Sequence, residues 1–236
     1  MSDTVEPPRG VLIDRIHARI REEILNQRLR PGVKLTAEHL ATMLDVSRTP
    51  VRQALERLSQ EGYVTRVPAR GFFVAEIGVA EVRDLYDVRR ALEAHALNGA
   101  FDRGIAAADV AQVIEVEAVY QQLVRDDTIV GRAEADQEFH VALAALSGNA
   151  VLVKMIREIF DRLNFRRRYD GYWYWGSRGT RGSDAAAEHL RLLSALERGD
   201  RDGAIGELRS HLGRAWHNYE RFLTTSAALN PPSAVG

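Results

Sequence analysis

Apolar residues in the first quarter of the chain recur at helical intervals. Ile13, Ile16, Ile20 and Ile24 fall at three- and four-residue steps, predicting a first helix of about 14 residues with one apolar stripe. Arg30-Pro31-Gly32 reads as its stop. Leu40, Met43 and Leu44, behind Thr36 as N-cap, predict a second helix of about two to three turns. Asp45 marks a sharp turn. Ser47 then opens a third helix whose buried face is Val51, Ala54, Leu55 and Leu58. After Glu61-Gly62 the pattern becomes β-branched and aromatic over 63–67 and 72–75, on either side of Pro68-Ala69-Arg70-Gly71, which predicts a hairpin with a short loop. From 79 to 226 the helical period returns and stays. Val82, Leu85, Leu92 and Ala96 form one stripe, and others follow near 106–126, 132–147, 150–169, 184–198 and 202–225. Short breaks between six such helices predict an antiparallel bundle.

The pattern therefore divides the chain. Residues 10–75 predict a winged helix-turn-helix of three helices plus a β-hairpin, 76–78 a linker, and 79–229 an all-α antiparallel bundle, with 1–9 and 230–236 as loose tails. Composition agrees with ordinary globular domains, at 45% hydrophobic and 28% charged residues. The absence of cysteine excludes disulfides, thiolate zinc sites, iron–sulfur clusters and cysteine nucleophiles, and suits a reducing cytoplasm. Acids and prolines stand at the N-terminus in place of an apolar core, and no run of about 18 apolar residues follows, so a cytoplasmic protein with no membrane partner is expected. The net charge of -1 hides a weak division: 12 Lys+Arg against 10 Asp+Glu over 1–76, and 20 against 23 beyond. With just two lysines, Lys34 and Lys154, among the basic residues, the arginine bias carries no functional weight.

The start of the third helix reads Ser47-Arg48-Thr49-Pro50-Val51-Arg52. That end of the second helix of a helix-turn-helix enters the major groove. Arg48 and Arg52, four residues apart, share a face opposite the apolar stripe, so one can read a guanine while the other clamps a phosphate. The hydroxyls of Ser47 and Thr49 suit phosphate oxygens. Arg70, at the hairpin tip, would reach the minor groove or the backbone. Together Arg30-Pro31-Gly32, Leu40-Ala41, Val46 to Leu55, Leu58, Glu61-Gly62, Arg70-Gly71 and Val74 resemble the GntR family over roughly residues 11 to 76. The resemblance implies DNA contacts at Arg48, Thr49, Arg52, Arg70 and Gly71. Two positions depart from it. The turn residue that is usually glycine is Asp45, a residue that tolerates the left-handed region. Glu38 stands where some relatives carry a DNA-contacting arginine; a carboxylate there would repel phosphate or select a cytosine amino group.

In the bundle, Asp136 and His140 lie one helical turn apart and can share an ion. His189 and His211 each lie about eleven residues from the break near Gly199-Asp200, roughly 16 Å along their helices, so an antiparallel pair sets them at equal height. Three imidazoles and a carboxylate suit zinc, nickel, manganese or iron. The bundle also resembles the FCD ligand-binding domain of the FadR-type GntR subfamily, through Leu85-Tyr86-Asp87-Val88-Arg89 with Leu92-Glu93, Asp136 with Phe139-His140, Glu188-His189, Ala195-Leu196, Gly199-Asp200 and His211-Leu212. That resemblance makes Asp136, His140, His189 and His211 the ligands of a divalent metal ion that helps hold a small carboxylate metabolite, and sets Arg89 facing the ligand. The arginine run 166–168 reads as a solvated helix end. Residues 170–183, rich in aromatics and glycine, read as a lid or as a loop packed on the bundle or a dimer partner.

Helix-turn-helix domains usually bind as two-fold dimers, so a homodimer on a near-palindromic double-stranded DNA operator is expected, its grip altered by a small organic acid. The expected function is a transcription regulator, a repressor released by its effector, and not an enzyme. Two other classes compete: a metal-dependent hydrolase, because histidine-bound metal can activate water, and an activator or constitutive DNA-binding dimer without effector.

Overall fold

The computed structural model describes residues 9–170 and 180–229. Both expected tails, apart from Arg9, and most of the expected aromatic lid lie outside the described residues. The contacts fall into two compact units that divide between Gly78 and Val79.

The first unit opens with α1 (Arg9–Leu25), which buries Ile16, Ile20 and Ile24 against α3. The helix stops five residues before Arg30-Pro31-Gly32. Its stop is a left-handed Gln27 at φ 59°, with Asn26, Gln27 and Arg28 N–H groups donating back to the last turn. A short strand β1 (Lys34–Leu35) follows, then α2 (Ala37–Leu44) and α3 (Arg48–Gln60). Thr36 caps α2 as the pattern predicts, its Oγ1 accepting from His39 N at 3.2 Å. Asp45 ends α2 in the left-handed region (φ 52°, ψ 50°), and its N–H donates to Ala41 and Thr42 carbonyls. Ser47 holds the N-cap position of α3, but its side chain makes no capping hydrogen bond. Val51, Ala54, Leu55 and Leu58 are fully buried.

The hairpin is β2 (Val64–Val67) and β3 (Gly71–Val74), antiparallel with Val67 opposite Gly71. Its sheet has a third member that the sequence pattern does not show. β1 pairs antiparallel with β3, Lys34 opposite Phe73 and Leu35 opposite Phe72, giving the order β1-β3-β2. This anchors the wing on both sides of β3, while the tip at Pro68-Ala69-Arg70 stays exposed.

The second unit is helical among the described residues: α4 (Val79–Arg103), α5 (Ala107–Arg125), α6 (Arg132–Ala145), α7 (Ala150–Tyr169), α8 (Thr180–Glu197) and α9 (Arg201–Leu229). The N-terminal helices with a small β-sheet, followed by an all-α bundle, are the fold class that the hydrophobic pattern predicts. Helix α8 begins at Thr180, so residues 180–183 of the expected loop are helix. Apolar packing among the described residues of the bundle includes two clusters that border its centre. One joins Leu97, Val113, Phe139, Leu143, Leu193 and Leu212, and the other joins Ala96, Val141, Leu152, Ile156 and Phe160. Phe139 and Phe160, one from each cluster, flank the polar centre described below. No helix among the described residues is long and apolar enough to cross a membrane.

Candidate metal centre and nucleic-acid interface

Helices α6, α8 and α9 bring Asp136, His140, His189 and His211 together. All four are buried, and one potential ligand atom from each lies within 4.8 Å of the others. His140 Nε2 is 3.2 Å from His211 Nε2, and Asp136 Oδ1 is 3.8 Å from both His140 Nε2 and His189 Nε2. Apolar rings hold the imidazoles in place. Phe139 stacks on His189 with centroids 4.0 Å apart, and Phe160 lies 5.3 Å from His140.

The outward nitrogen of every imidazole meets a carboxylate. His140 Nδ1 is 2.6 Å from Glu93 Oε2, His189 Nδ1 is 2.9 Å from Glu117 Oε2, and His211 Nδ1 is 2.7 Å from Glu188 Oε2. A carboxylate accepts and cannot donate, so each ring carries its proton on Nδ1 and turns the Nε2 lone pair inward. The inward atoms are then lone pairs facing a carboxylate oxygen, in a region closed to solvent. His189 Nε2 is buried with no hydrogen-bond partner among the described residues. Such an orphan is costly unless a cation fills the gap. Electrostatics point the same way. Burial, with the Arg89 charge adding to it, holds His140 well below the ordinary histidine range. Burial also lowers His211, although its hydrogen bond to Glu188 opposes the shift. For Asp136 burial pushes upward, but positive charge around it, including the permanent cations Arg89 and Arg167, outweighs it and keeps the carboxyl below its usual value. Neutral imidazoles and an ionised carboxylate are the forms that bind a metal. The cluster is thus capable of coordinating a divalent cation.

Glu93 and Glu117, which orient two of the candidate ligands, have no site role in the sequence reading. Each sits on a largely apolar buried stripe: Glu117 between Val113 and Tyr120 on α5, and Glu93 between Tyr86 and Leu97 on α4, where Arg89 is the other charged member. A carboxylate in such a place is the signal that could have found them. Replacing Glu117 by glutamine is expected to weaken zinc or nickel binding about 10- to 100-fold while the fold persists, as measured by competition with a fluorescent chelator. Unchanged affinity would show that the His189 ring needs no carboxylate to orient it.

Arg89 is also buried, at 1% exposure, with its Nε 2.5 Å from Glu93 Oε1 and its guanidinium carbon 4.0 Å above the Phe160 ring centroid. Its Nη2 has no hydrogen-bond partner among the described residues. Arg167 corrects the reading of 166–168 as a solvated end. It is buried and donates to the Tyr86 hydroxyl, because the last turn of α7 runs beside α4 and α9, where the Tyr86 and Tyr219 rings also meet its guanidinium.

In the first unit Ser47, Arg48, Thr49, Arg52, Arg70 and Gly71 are all exposed. Arg48 and Arg52 lie in the first turns of α3 with their side chains exposed, bordering the buried stripe of Val51 and Leu55. Each guanidinium has an acidic neighbour: Arg48 Nη2 is 3.6 Å from Glu38 Oε1, and Arg52 Nε is 4.0 Å from Glu56 Oε1. Arg70 leans over the Phe73 ring at 5.5 Å, and Gly71 adopts φ 99°, a backbone state suited to glycine at the end of the tip.

Comparison with known proteins gives two family matches. The gntR family of bacterial regulatory proteins matches residues 12–74, and the FCD domain matches residues 84–214. Among curated relatives, the Nta operon transcriptional regulator of Aminobacter aminovorans is 33% identical over 78% of this chain and 82% of its own. An HTH-type transcriptional regulator from an unstable DNA locus of Streptomyces ambofaciens is 30% identical over 91% of this chain and 87% of its own. In fold, the chain is similar to a GntR transcriptional regulator of Rhodococcus sp. RHA1, with a TM-score of 0.71, 23% identity and coverage of 91% and 98% of the two chains.

Proposed function

Because this chain belongs to the GntR family of bacterial regulators and carries an FCD domain, we propose that it is a cytoplasmic, homodimeric repressor of the FadR type, released from its operator by a small carboxylate metabolite. DNA-binding regulation follows from the family, and family membership argues against an enzyme. The effector and the sign of control are the further step. The observation that carries it is the buried Arg89 Nη2, a donor without a hydrogen-bond partner among the described residues, on the helix that also supplies Glu93 to His140.

Asp136, His140, His189 and His211 would hold the divalent ion, and a bound ion of higher coordination would offer its remaining positions to an anionic ligand. The guanidinium fork of Arg89 suits the second oxygen of a carboxylate. Glu93, Glu117 and Glu188 are each engaged with an imidazole, so none stands free as the general base that hydrolysis would need. In the first unit, Ser47 and Thr49 would meet phosphate, Arg48 and Arg52 the base edges and backbone, and the Arg70-Gly71 tip the adjoining groove.

The test is operator selection with the purified full chain, repeated with a panel of carboxylic acids in the presence of zinc or nickel. A near-palindromic site is expected, and the effective acid should weaken binding about 5- to 150-fold. Arg48→Ala and Arg52→Ala are expected to lose about 1 to 3 kcal/mol of discrimination at the base each arginine reads. Unchanged selection by both variants would remove their assigned role. A response to acids that tightens operator binding would reverse the sign of control.

A further inference from the structure

We propose that Glu188 and Arg214 form the entrance by which the divalent ion reaches and leaves the centre, with Glu188 as the group that first meets the ion and Arg214 as the latch displaced from it. This rests on the metal-binding reading of Asp136, His140, His189 and His211, and concerns how the ion is exchanged. Each carboxylate behind an imidazole has a donor of its own on the far side. Arg89 Nε donates to Glu93 Oε1, Gln121 Nε2 donates to Glu117 Oε1 at 2.7 Å, and Arg214 Nε donates to Glu188 Oε1.

The branches differ in where they end. That of His140 ends at the buried Arg89, stacked over Phe160. That of His189 ends at Gln121, a half-buried neutral amide that also donates to the Ala186 carbonyl at 2.8 Å and so ties α5 to α8. On the Asp136 side, Gln137 and Asn164 are buried, and Asn164 Nδ2 bridges α7 to Gln137 Oε1 at 3.0 Å and the Ala133 carbonyl at 3.4 Å. Among the described residues, the His211 branch is the one that ends in exposed charge: the Glu188 side chain is 9% exposed and that of Arg214 46%. An ion arriving from water gives up its hydration most readily to an anionic oxygen near the surface, and Glu188 Oε1 is that oxygen, occupied by a guanidinium. A dication competes with the guanidinium for it, and Arg214, on a long exposed side chain, turns to solvent with its charge intact. His211, hydrogen-bonded to the same carboxylate, is the next ligand along. Release reverses the order, so the Arg214–Glu188 contact must break in both directions.

The experiment is stopped-flow uptake and release of zinc by the full chain, read with a fluorescent chelator, together with equilibrium competition for the dissociation constant and circular dichroism to show folding. Arg214→Met is expected to speed both uptake and release about fivefold, the factor that one partly exposed ion pair can hold in a rate, and to leave the dissociation constant within about twofold. Glu188→Gln loses the latch and the first ligand together, so its uptake should be slower than that of Arg214→Met. Equal uptake in these two variants would remove Glu188 from the path. In Arg214→Met, faster release with unchanged uptake would make Arg214 a support for Glu188, and faster uptake with unchanged release would mark charge repulsion alone; either overturns the entrance. Wild-type rates in Arg214→Met would also overturn it while sparing the metal centre. A wild type that binds no zinc, nickel or manganese would overturn both.

Discussion

Stripping the protein with a chelator is expected to lower the melting temperature of the second unit by roughly 10 °C, and adding back zinc or nickel should restore it. The size follows from linkage. An ion present at about a thousandfold excess over its dissociation constant contributes about 4 kcal/mol to the folded state if the unfolded chain does not bind it. For a protein of this size each kcal/mol moves the midpoint by about 2 to 4 °C. The reason for preferring the folded state lies in the geometry. Glu93, Glu117 and Glu188 hold three rings with their Nε2 lone pairs facing inward, next to the Asp136 carboxylate. Without a cation that arrangement concentrates acceptors in a buried space, and His189 Nε2 finds no donor among the described residues. Unfolding disperses them. His189→Ala should bind the ion far more weakly and lose most of the metal-dependent rise. A protein that carries no metal by elemental analysis after chelator-free purification, and whose midpoint is indifferent to zinc, nickel and manganese, would sink the metal centre.

Much of this centre was legible in the residues because its signals are local or depend on simple helix arithmetic. Asp136 and His140 are one turn apart, and the equal distances of His189 and His211 from the Gly199 turn need nothing beyond an antiparallel pair. The structure brings all four together. The helices of the first unit were legible for the same reason, since Ile16, Ile20 and Ile24 form a stripe that survives in the fold as buried side chains. Strand β1 was not, because two residues are too few to show an alternation and its pairing with β3 is made by partners far along the chain. The carboxylates behind the imidazoles were hidden by distance of another kind. Glu117 and His189 are 72 residues apart, and Glu93 and His140 are 47 apart. For Arg89 the signal lies in the stripe itself, because the face of α4 that carries Val82, Leu85 and Tyr86 inward carries Arg89 and Glu93 with it. A charged residue on a buried stripe costs stability unless something offsets it, so its presence points to a site rather than to a core.

That cost can be measured at the same pair. Glu93→Gln is expected to destabilise the metal-free protein by about 3 to 5 kcal/mol, because it leaves a guanidinium inside the bundle without its carboxylate. Arg89 and Glu93 are 1% and 3% exposed, so solvent cannot take over the lost partner, and Asp136 is shared with the histidines. Glutamine still accepts a hydrogen bond from His140 Nδ1–H, which separates the loss of charge from the loss of that contact. Adding Arg89→Met should recover most of the stability. Methionine keeps apolar contact with the Phe160 ring and removes the unpaired cation, and replacing both members of a buried pair by uncharged groups is often close to neutral. The measurement is a double-mutant cycle by urea denaturation, with chelator in every sample so that changes in ion affinity do not enter. A strong favourable coupling between the two sites is expected. If the two single losses simply add, the pair does not act as a unit, and Arg89 is held by the bundle for some reason other than Glu93. If they couple as expected, the double variant supplies a folded protein without the proposed carboxylate-binding fork, in which retained operator binding and retained zinc binding together with a lost response to acids would assign Arg89 to the effector.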